Sequence, residues 1–234
     1  MSLHILFQQP GWFVCAKIPG VSVHKQPRFP KEHTIAQRLR EQLGQPVQLV
    51  HRLDRQTSGC LLVATEPALV TPLAKALAAG QKTYLAFVRG YFPTLEEQKV
   101  KTPIKHKGKH LEASSTVRCI ARGREPRSSA LIVHPHTGRN HQVRRHVRDL
   151  HHPILHDGDH GDTRANRWWR ENMGLTRLGL HALRIELTMD GTTHRIECPI
   201  FADHHRVFSQ LEWWSDAVAA EPLLAVEPLV VGEG

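Results

Sequence analysis

The stretch HRLDRQTSG, residues 51–59, lies between two short apolar segments at residues 47–50 and 60–65. Both segments have the length and composition of buried strands, so they should hold the intervening stretch as a loop between rigid elements. Asp54 is in the middle of that loop, with the cationic Arg52 and Arg55 beside it. Nearby cations favour the ionised carboxylate, which nucleophilic or general-base chemistry needs. A turn aspartate paired with surface arginines is the alternative interpretation.

A second stretch, TGRNHQVRRH at residues 137–146, has the pattern of a loop followed by a helix. Arg144 comes one turn into this helix, and Arg148 follows it at the i+4 position. Such a helix can clamp phosphates, or one guanidinium can point inward and bind a carboxylate through two hydrogen bonds. A solvated basic helix is the alternative.

A third stretch, KTYLAFV at residues 82–88, is typical of a strand with Tyr84, Ala86 and Val88 on one face. A tyrosine on such a face is ordinarily part of the core. It can instead present its ring to a nucleobase, because aromatic stacking contributes roughly 1–3 kcal/mol per base.

The remaining pattern predicts an α+β fold, because strands dominate, helices are irregularly interspersed and no regular βα alternation appears. We expect a mixed, mostly antiparallel sheet with flanking helices. Residues 1–219 are predicted to form one domain and residues 220–234 a loosely held tail. Helices are expected at residues 34–43, 67–79, 141–150 and 206–214.

The chain has 234 residues, and 31 Lys plus Arg against 22 Asp plus Glu give it a net charge of +9. A large positive excess favours a polyanionic partner, of which nucleic acid is the commonest. No apolar run approaches the roughly 20 residues that span a bilayer, and the first residues lack the features of a secretory signal. A cytoplasmic protein is therefore expected. The four cysteines form no CxxC pair, which favours reduced thiols packed in strands.

Four motifs in order along the chain resemble those of the RluA-type pseudouridine synthase family. They are KIPGVSVH at residues 17–24, HRLD at 51–54, KTYLA at 82–86 and TGRNHQVR at 137–144. The first departs from the family pattern, because Ile18 is inserted into the usual Lys-Pro pair. The resemblance extends from about residue 5 to residue 214.

This resemblance implies a reaction that breaks the glycosidic bond of uridine, rotates the base and rejoins it through carbon, with no cofactor and no metal. Asp54 matches the essential aspartate, as nucleophile or as base. Arg144 matches the buried arginine that pairs with it, and Tyr84 the aromatic residue that packs on the flipped uracil. Arg52 would fill the gap left by that base. The implied fold has a central sheet with a catalytic cleft, and the residues expected to contact RNA near it are His51, Arg52, Arg55, Arg139 and His141.

One further segment, HGDTRANRWWRE at residues 160–171, resembles the corresponding stretch of the TruC-like branch, which acts at tRNA position 65. Two tryptophans replace the two phenylalanines of that branch. Interleaved arginines and tryptophans are typical of a nucleic-acid surface, so this segment is expected to bind RNA through Arg164, Arg167, Trp168 and Arg170. A structural insertion with its Trp rings in the core is the alternative. The pattern begins almost at Met1, so no preceding S4-type RNA-binding domain is expected.

Three other functions stay open at this point. A ribosomal RNA target would leave the chemistry unchanged. Five histidines between residues 146 and 160, near Asp157, Asp159 and Asp162, could serve a metal-dependent hydrolase, although no HExxH pattern appears. A non-catalytic RNA-binding module is the third. We expect RNA, in particular tRNA, as the partner, with neither a membrane nor an obligate protein partner.

Overall fold

The computed structural model describes residues 2–231, which contain twelve strands and six α-helices. The strands are β1 (Ile5–Gln9), β2 (Trp12–Lys17), β3 (Gln48–Leu49), β4 (Ser58–Ala64), β5 (Gln81–Arg89), β6 (Gln98–Val100), β7 (Ile104–His106), β8 (Lys109–Leu111), β9 (Ser115–Arg124), β10 (Arg127–Pro135), β11 (Leu180–Met189) and β12 (Thr192–Glu197). The helices are α1 (Ile35–Leu43), α2 (Val70–Ala79), α3 (Gln142–Asp149), α4 (Thr163–Met173), α5 (Ala202–Phe208) and α6 (Trp214–Ala220). The predicted α+β class with mostly antiparallel strands is confirmed.

The chain forms two compact units. Among the described residues, the first unit contains residues 2–82, 182–198 and 229–231, and the second contains residues 83–181 and 199–228. The single domain expected over residues 1–219 remains a prediction. Within residues 2–231, every helix is too short or too polar to cross a membrane.

In the first unit, β2 lies between β1 and β4 and pairs antiparallel with both. Every residue of β2 and β4 is buried, as continuous apolar strands covered on both faces require. The helix predicted over residues 34–43 is confirmed as α1. Thr34 caps its first turn together with Gln37, and Gly44 ends it in the left-handed conformation, with φ of 65°.

In the second unit, β10 lies between β5 and β9, and β6 extends the sheet along β9. Helix α3 packs on this sheet through Val143 and Val147, which join a buried cluster with Ala86 and Val88 of β5. Tyr84 packs against the same cluster, so the predicted common face of β5 is confirmed.

The helix predicted over residues 206–214 is wrong, because α5 ends at Phe208 and α6 begins at Trp214. Phe208 stacks on Phe87 with ring centroids 3.5 Å apart, and the buried Trp213 donates from Nε1 to Ser128 Oγ at 3.1 Å. At 100° per residue, one continuous helix would turn Phe208 and Trp213 away from each other. The break lets both rings face the core.

Two smaller expectations also change. The helix expected from residue 67 starts as a 3₁₀ turn, Pro67–Leu69, before α2 begins. Part of the expected loose tail is packed, because Pro222–Ala225 forms a 3₁₀ helix with Leu224 fully buried. Residues 232–234 of that tail lie outside the described residues. All four cysteines are free and buried.

Candidate active site

The loop that carries Asp54 follows β3 and is fixed from inside the first unit by a buried lysine. Lys17 Nζ donates to three backbone carbonyls, those of Ile18 at 2.9 Å, Arg55 at 3.0 Å and Thr57 at 2.8 Å. The loop also closes on itself, because Thr57 N donates to the Asp54 carbonyl at 3.1 Å. A fully buried ammonium needs such partners, and here they hold the backbone on the C-terminal side of Asp54 in place.

The same loop leads into β4 through Gly59, whose φ is 116°. A Cβ atom at this position would lie 2.2 Å from the carbonyl oxygen of Ala182. Only glycine allows both this backbone conformation and so close an approach of the two chains. The glycine of the HRLDRQTSG stretch is therefore explained by the strand packing behind the loop.

Arg55, predicted to contact RNA, is held by two groups of its own unit. Its Nε donates to Glu32 Oε1 at 2.8 Å, and its guanidinium lies 4.3 Å from the centre of the Phe29 ring. Glu32 also accepts from Ser22 N at 3.0 Å. Burial raises the pKa of Glu32, but the bonds from Ser22 and Arg55 outweigh it, so the net pKa lies below its ordinary value. Arg55 thus links the Asp54 loop to the preceding segment, and its RNA contact remains a prediction.

His51 and Arg52 differ sharply in exposure. Arg52 is exposed, whereas the half-buried His51 accepts a hydrogen bond at Nε2 from Leu62 N at 3.0 Å. Burial and the nearby Lys82 lower the pKa of His51 to about 4. His51 is therefore neutral at pH 7 and adds no positive charge toward phosphates, which leaves Arg52 as the exposed cation of the motif.

In the second unit, Arg144 is buried, as predicted, and it has carboxylate partners that the sequence did not identify. Its Nε and Nη2 donate to the two carboxylate oxygens of Asp157 at 2.8 and 2.7 Å, and Nη2 also donates to Asp159 Oδ2 at 2.7 Å. Burial raises the pKa of Asp157, but the bonds from Arg144 outweigh it and the net pKa is lowered. The pairing of Arg144 with Asp54 remains a prediction.

The residues before Arg144 shape the start of α3. Gln142 is buried, accepts from Arg139 N at 3.0 Å and donates to the Ser114 carbonyl at 2.9 Å. Arg139 is exposed, and its Nε donates to the carbonyl of Glu112 at 3.0 Å. His141 has a left-handed φ of 53°, and its Nδ1 lies 3.0 Å from His160 Nε2. The RNA contacts of Arg139 and His141 remain predictions.

The segment at residues 160–171 contains most of helix α4. Asp162 caps this helix by accepting from Ala165 N at 2.9 Å. Trp169 is buried and packs near Phe208, whereas its neighbour Trp168 is 42% exposed. The core position given by the alternative interpretation therefore holds for Trp169, whereas the RNA contact of the exposed Trp168 remains a prediction. The exposed side of α4 carries Arg164, Arg167, Trp168 and Arg170, the residues predicted to bind RNA.

A basic hairpin formed by β7 and β8 was missed by the sequence analysis. It spans KHKGKH at residues 105–110, all of them exposed. Helix α3 anchors its base, because Arg145 Nη1 donates to the Lys105 carbonyl at 3.0 Å and His146 Nε2 lies 3.1 Å from the Thr102 carbonyl. The sequence indicates this basic element through its run of lysines and histidines around Gly108.

The histidines between residues 146 and 160 serve separate local contacts. The buried His146 bonds Ser115 Oγ at 2.9 Å, and His152 bonds the Arg89 carbonyl at 2.9 Å. Among residues 2–231, no group of three His, Cys, Asp or Glu side chains is placed to hold a metal ion. The proposed hydrolase site therefore has no ligand set in the part of the chain that is described.

All of the predicted residues except Tyr84 fall into three groups, and each group lies within one of the two compact units. The Asp54 loop carries His51, Arg52, Asp54 and Arg55, the start of α3 carries Arg139, His141 and Arg144, and α4 carries the exposed arginines with Trp168. Tyr84 lies on β5 opposite Val133 and is half-buried.

Residues 11–149 match the family model described as RNA pseudouridylate synthase, and this range includes Asp54, Tyr84 and Arg144. The chain belongs to the RNA pseudouridylate synthase family. It is therefore an isomerase that acts on uridine in RNA, and the predicted enzyme class is confirmed.

Relatives and solved structures agree with this membership. A protein named tRNA pseudouridine synthase C from Pasteurella multocida (strain Pm70) is 36% identical over 221 residues, which cover 84% of this chain and 90% of the relative. A protein of the same name from Haemophilus ducreyi (strain 35000HP / ATCC 700724) is 31% identical over 91% of this chain and 97% of its own length. The structure of human RNA pseudouridylate synthase domain containing 1 has the same fold, with a TM-score of 0.69 at 20% identity over 85% of this chain and 83% of the human one. The resemblance to the TruC-like branch is confirmed.

Proposed function

We propose that this synthase converts uridine to pseudouridine in tRNA, at position 65 as the TruC-like resemblance implies. The observation that carries the proposal is the match to tRNA pseudouridine synthase C of Pasteurella multocida, which covers 90% of that protein and includes residues on both units. A tRNA substrate also makes the cytoplasm the proposed location.

The proposed chemistry assigns one role to each motif residue. Asp54 supplies the carboxylate that acts on the ribose, as nucleophile or as base. Arg144 supplies the cation that keeps this carboxylate charged when the site excludes water, because a desolvated carboxylate otherwise takes up a proton. Tyr84 packs its ring on the uracil, and Arg52 occupies the gap that the flipped nucleotide leaves in the RNA stack. Side chains alone perform these steps.

Two exposed basic elements are proposed to hold the RNA. Helix α4 presents three arginines and Trp168, and the β7–β8 hairpin presents Lys105, Lys107 and Lys109. A folded tRNA stem is recognised mainly through its shape and its phosphates, which suits long cationic side chains on exposed elements. Four residues in the Asp54 loop and at the start of α3 are also proposed to contact the RNA. They are His51, Arg55, Arg139 and His141.

Pseudouridine mapping of total RNA from cells with and without this protein tests the substrate. We expect one tRNA position to lose its modification when the protein is absent. Loss of a ribosomal RNA position instead would favour the ribosomal alternative. No change anywhere would favour a non-catalytic RNA-binding protein.

The variant Asp54→Asn tests the chemistry on purified protein. The substitution removes the charge and keeps the size, so isomerisation should fall below detection. RNA affinity should stay within about twofold, because phosphate contacts dominate affinity. Asp190→Asn, in the turn between β11 and β12, is the matched control and should keep full activity, since asparagine tolerates the left-handed backbone there. Measurable turnover by Asp54→Asn would contradict the assignment.

A further inference from the structure

The guanidinium of Arg144 is held by two carboxylates that differ in their surroundings. Asp157 is buried, and its Oδ1 also accepts from the backbone N–H groups of Asp159 and His160, both at 2.9 Å. Asp159 binds the same arginine, although its side chain is 54% exposed. Asp157 is thus part of a rigid internal network, whereas Asp159 covers the arginine from the solvent side.

The bonding pattern fixes the plane of the guanidinium. Asp157 takes the Nε hydrogen and one Nη2 hydrogen, and Asp159 takes the other Nη2 hydrogen. A planar guanidinium whose hydrogens on one edge are all engaged cannot rotate without breaking these bonds. Nη1 takes no part in these three bonds. Because the guanidinium is planar, the two aspartates also fix the direction in which Nη1 points.

Two carboxylates bind the guanidinium of Arg144, and two histidines lie near Asp159. His141 Nδ1 lies 4.0 Å from Asp159 Oδ2 and 3.0 Å from His160 Nε2. The bond from Arg144 and its charge lower the pKa of Asp159, so this second anion is present at neutral pH.

We propose that Asp159 is a positioning residue for the isomerisation, which fixes Arg144 in the orientation set by Asp157. The proposal rests on the proposed role of Arg144 as the cation that serves Asp54. Asp157 alone gives buried Arg144 a bidentate partner, so packing does not require a second, half-exposed carboxylate. The additional bond from Nη2 to Asp159 instead restricts the direction of the guanidinium.

Asp159→Asn tests this proposal through single-turnover rates at saturating tRNA across pH 5–9. Asparagine retains an oxygen that can accept from Nη2 but removes the charge. We expect the rate to fall roughly 10- to 100-fold, because small displacements of catalytic groups have effects of that size. RNA affinity should be unchanged or slightly tighter. The acid-side midpoint of the rate profile should move down by roughly 0.5–1 pH unit, since an anion beside Arg144, Asp157, His141 and His160 has been removed.

Two further variants sharpen the result. Asp159→Glu restores the charge on a longer arm and should return the acid-side midpoint to its wild-type value. Asp149→Asn removes a carboxylate that binds the exposed Arg148 on the same helix, and it should change neither rate nor profile. A wild-type rate for Asp159→Asn, or a loss that is equal at every pH and not corrected by Asp159→Glu, would overturn the proposal.

A readout without RNA separates this proposal from the proposed function. The Nε–H of Arg144, observed by ¹⁵N–¹H NMR of the whole chain, should exchange slowly in the wild type and clearly faster in Asp159→Asn. Unchanged exchange would overturn the positioning role even if the wild type is active. If the wild type fails to modify tRNA but the exchange rate responds, the proposed substrate fails and the hold of Asp159 on Arg144 stands.

Discussion

Arg144 and Arg148 are one helical turn apart on α3 and have nearly the same direction from the helix axis, yet their environments differ. Arg144 is 6% exposed, because the loop that carries Asp157 covers the first turn of the helix. The side chain of Arg148 is 42% exposed and binds its neighbour Asp149. The covering loop, not the position on the helix, makes one arginine internal.

Arg144→Ala should lower the free energy of unfolding by about 3–5 kcal/mol, because it leaves Asp157 as a buried carboxylate without its cation. Arg148→Ala should lower it by only about 0–1 kcal/mol, as is usual for an exposed ion pair. Urea denaturation of the two variants at pH 7 measures both values. Equal, small losses would mean that the Arg144–Asp157 pair contributes little to the stability of the fold.

The family resemblance implied that Arg144 would be internal and paired with Asp54, but it did not identify Asp157 and Asp159 as carboxylate partners. Asp157 and Asp159 are 13 and 15 residues further along the chain, in an irregular loop with two left-handed histidines, His151 and His156. No periodic pattern links such a loop to a helix. The role of Lys17 was equally hidden, because its partners are backbone carbonyls that every sequence contains.

In helix α4, the neighbouring Trp168 and Trp169 lie in different surroundings, so one interpretation cannot apply to both. Consecutive residues on a helix diverge by 100°, so Trp168 and Trp169 cannot face the same surroundings. The cap at Asp162 and the burial of Trp169 fix which side of the helix faces inward, and the arginines then lie outside. The motif indicated a nucleic-acid surface, but the burial of Trp169 was needed to tell which residues of the helix are exposed.

Replacing Arg164, Arg167 and Arg170 together by alanine should weaken tRNA binding and flatten its salt dependence. Each lost phosphate contact should reduce the slope of log affinity against log salt by roughly 0.7–0.9. The rate at saturating tRNA should fall far less than for Asp54→Asn. Replacing Lys75, Arg195 and Arg206, which are exposed on other elements, makes the same change in net charge and should leave the slope almost unchanged. Equal slopes for wild type and the α4 variant would remove α4 from the RNA interface.

The β7–β8 hairpin offers a second test of the same kind. Its KHKGKH stretch has no apolar periodicity, so sequence patterns gave no strand there, and the structure pairs it around Gly108. Replacing Lys105, Lys107 and Lys109 by glutamine should also lower the salt slope. If only one of the two triple variants does so, that element alone carries the phosphate contacts.

Across the molecule, burial lowers the pKa of seven histidines. They are His24, His51, His146, His152, His156, His160 and His204. A histidine whose pKa is lowered in the folded chain takes up its proton at a lower pH than in the unfolded chain, where it titrates near pH 6.5. The unfolded chain therefore binds more protons than the folded chain below about pH 7.

Stability should consequently be highest above pH 7 and fall as the pH is lowered toward 5, because a group that binds protons more readily when unfolded favours unfolding at acid pH. His51, with a pKa of about 4 when folded, accounts for roughly 2 kcal/mol of this loss at pH 5, at 1.36 kcal/mol per pKa unit. Urea denaturation of wild type and His51→Gln at pH 7.5 and pH 5 measures it, since glutamine can still accept the Leu62 N–H. The variant should lose about 2 kcal/mol less than the wild type between the two pH values, whereas His110→Gln, on the exposed hairpin, should behave like the wild type. A wild-type stability that does not change between pH 7.5 and 5 would show that these histidines are as accessible to protons in the folded chain as in the unfolded one.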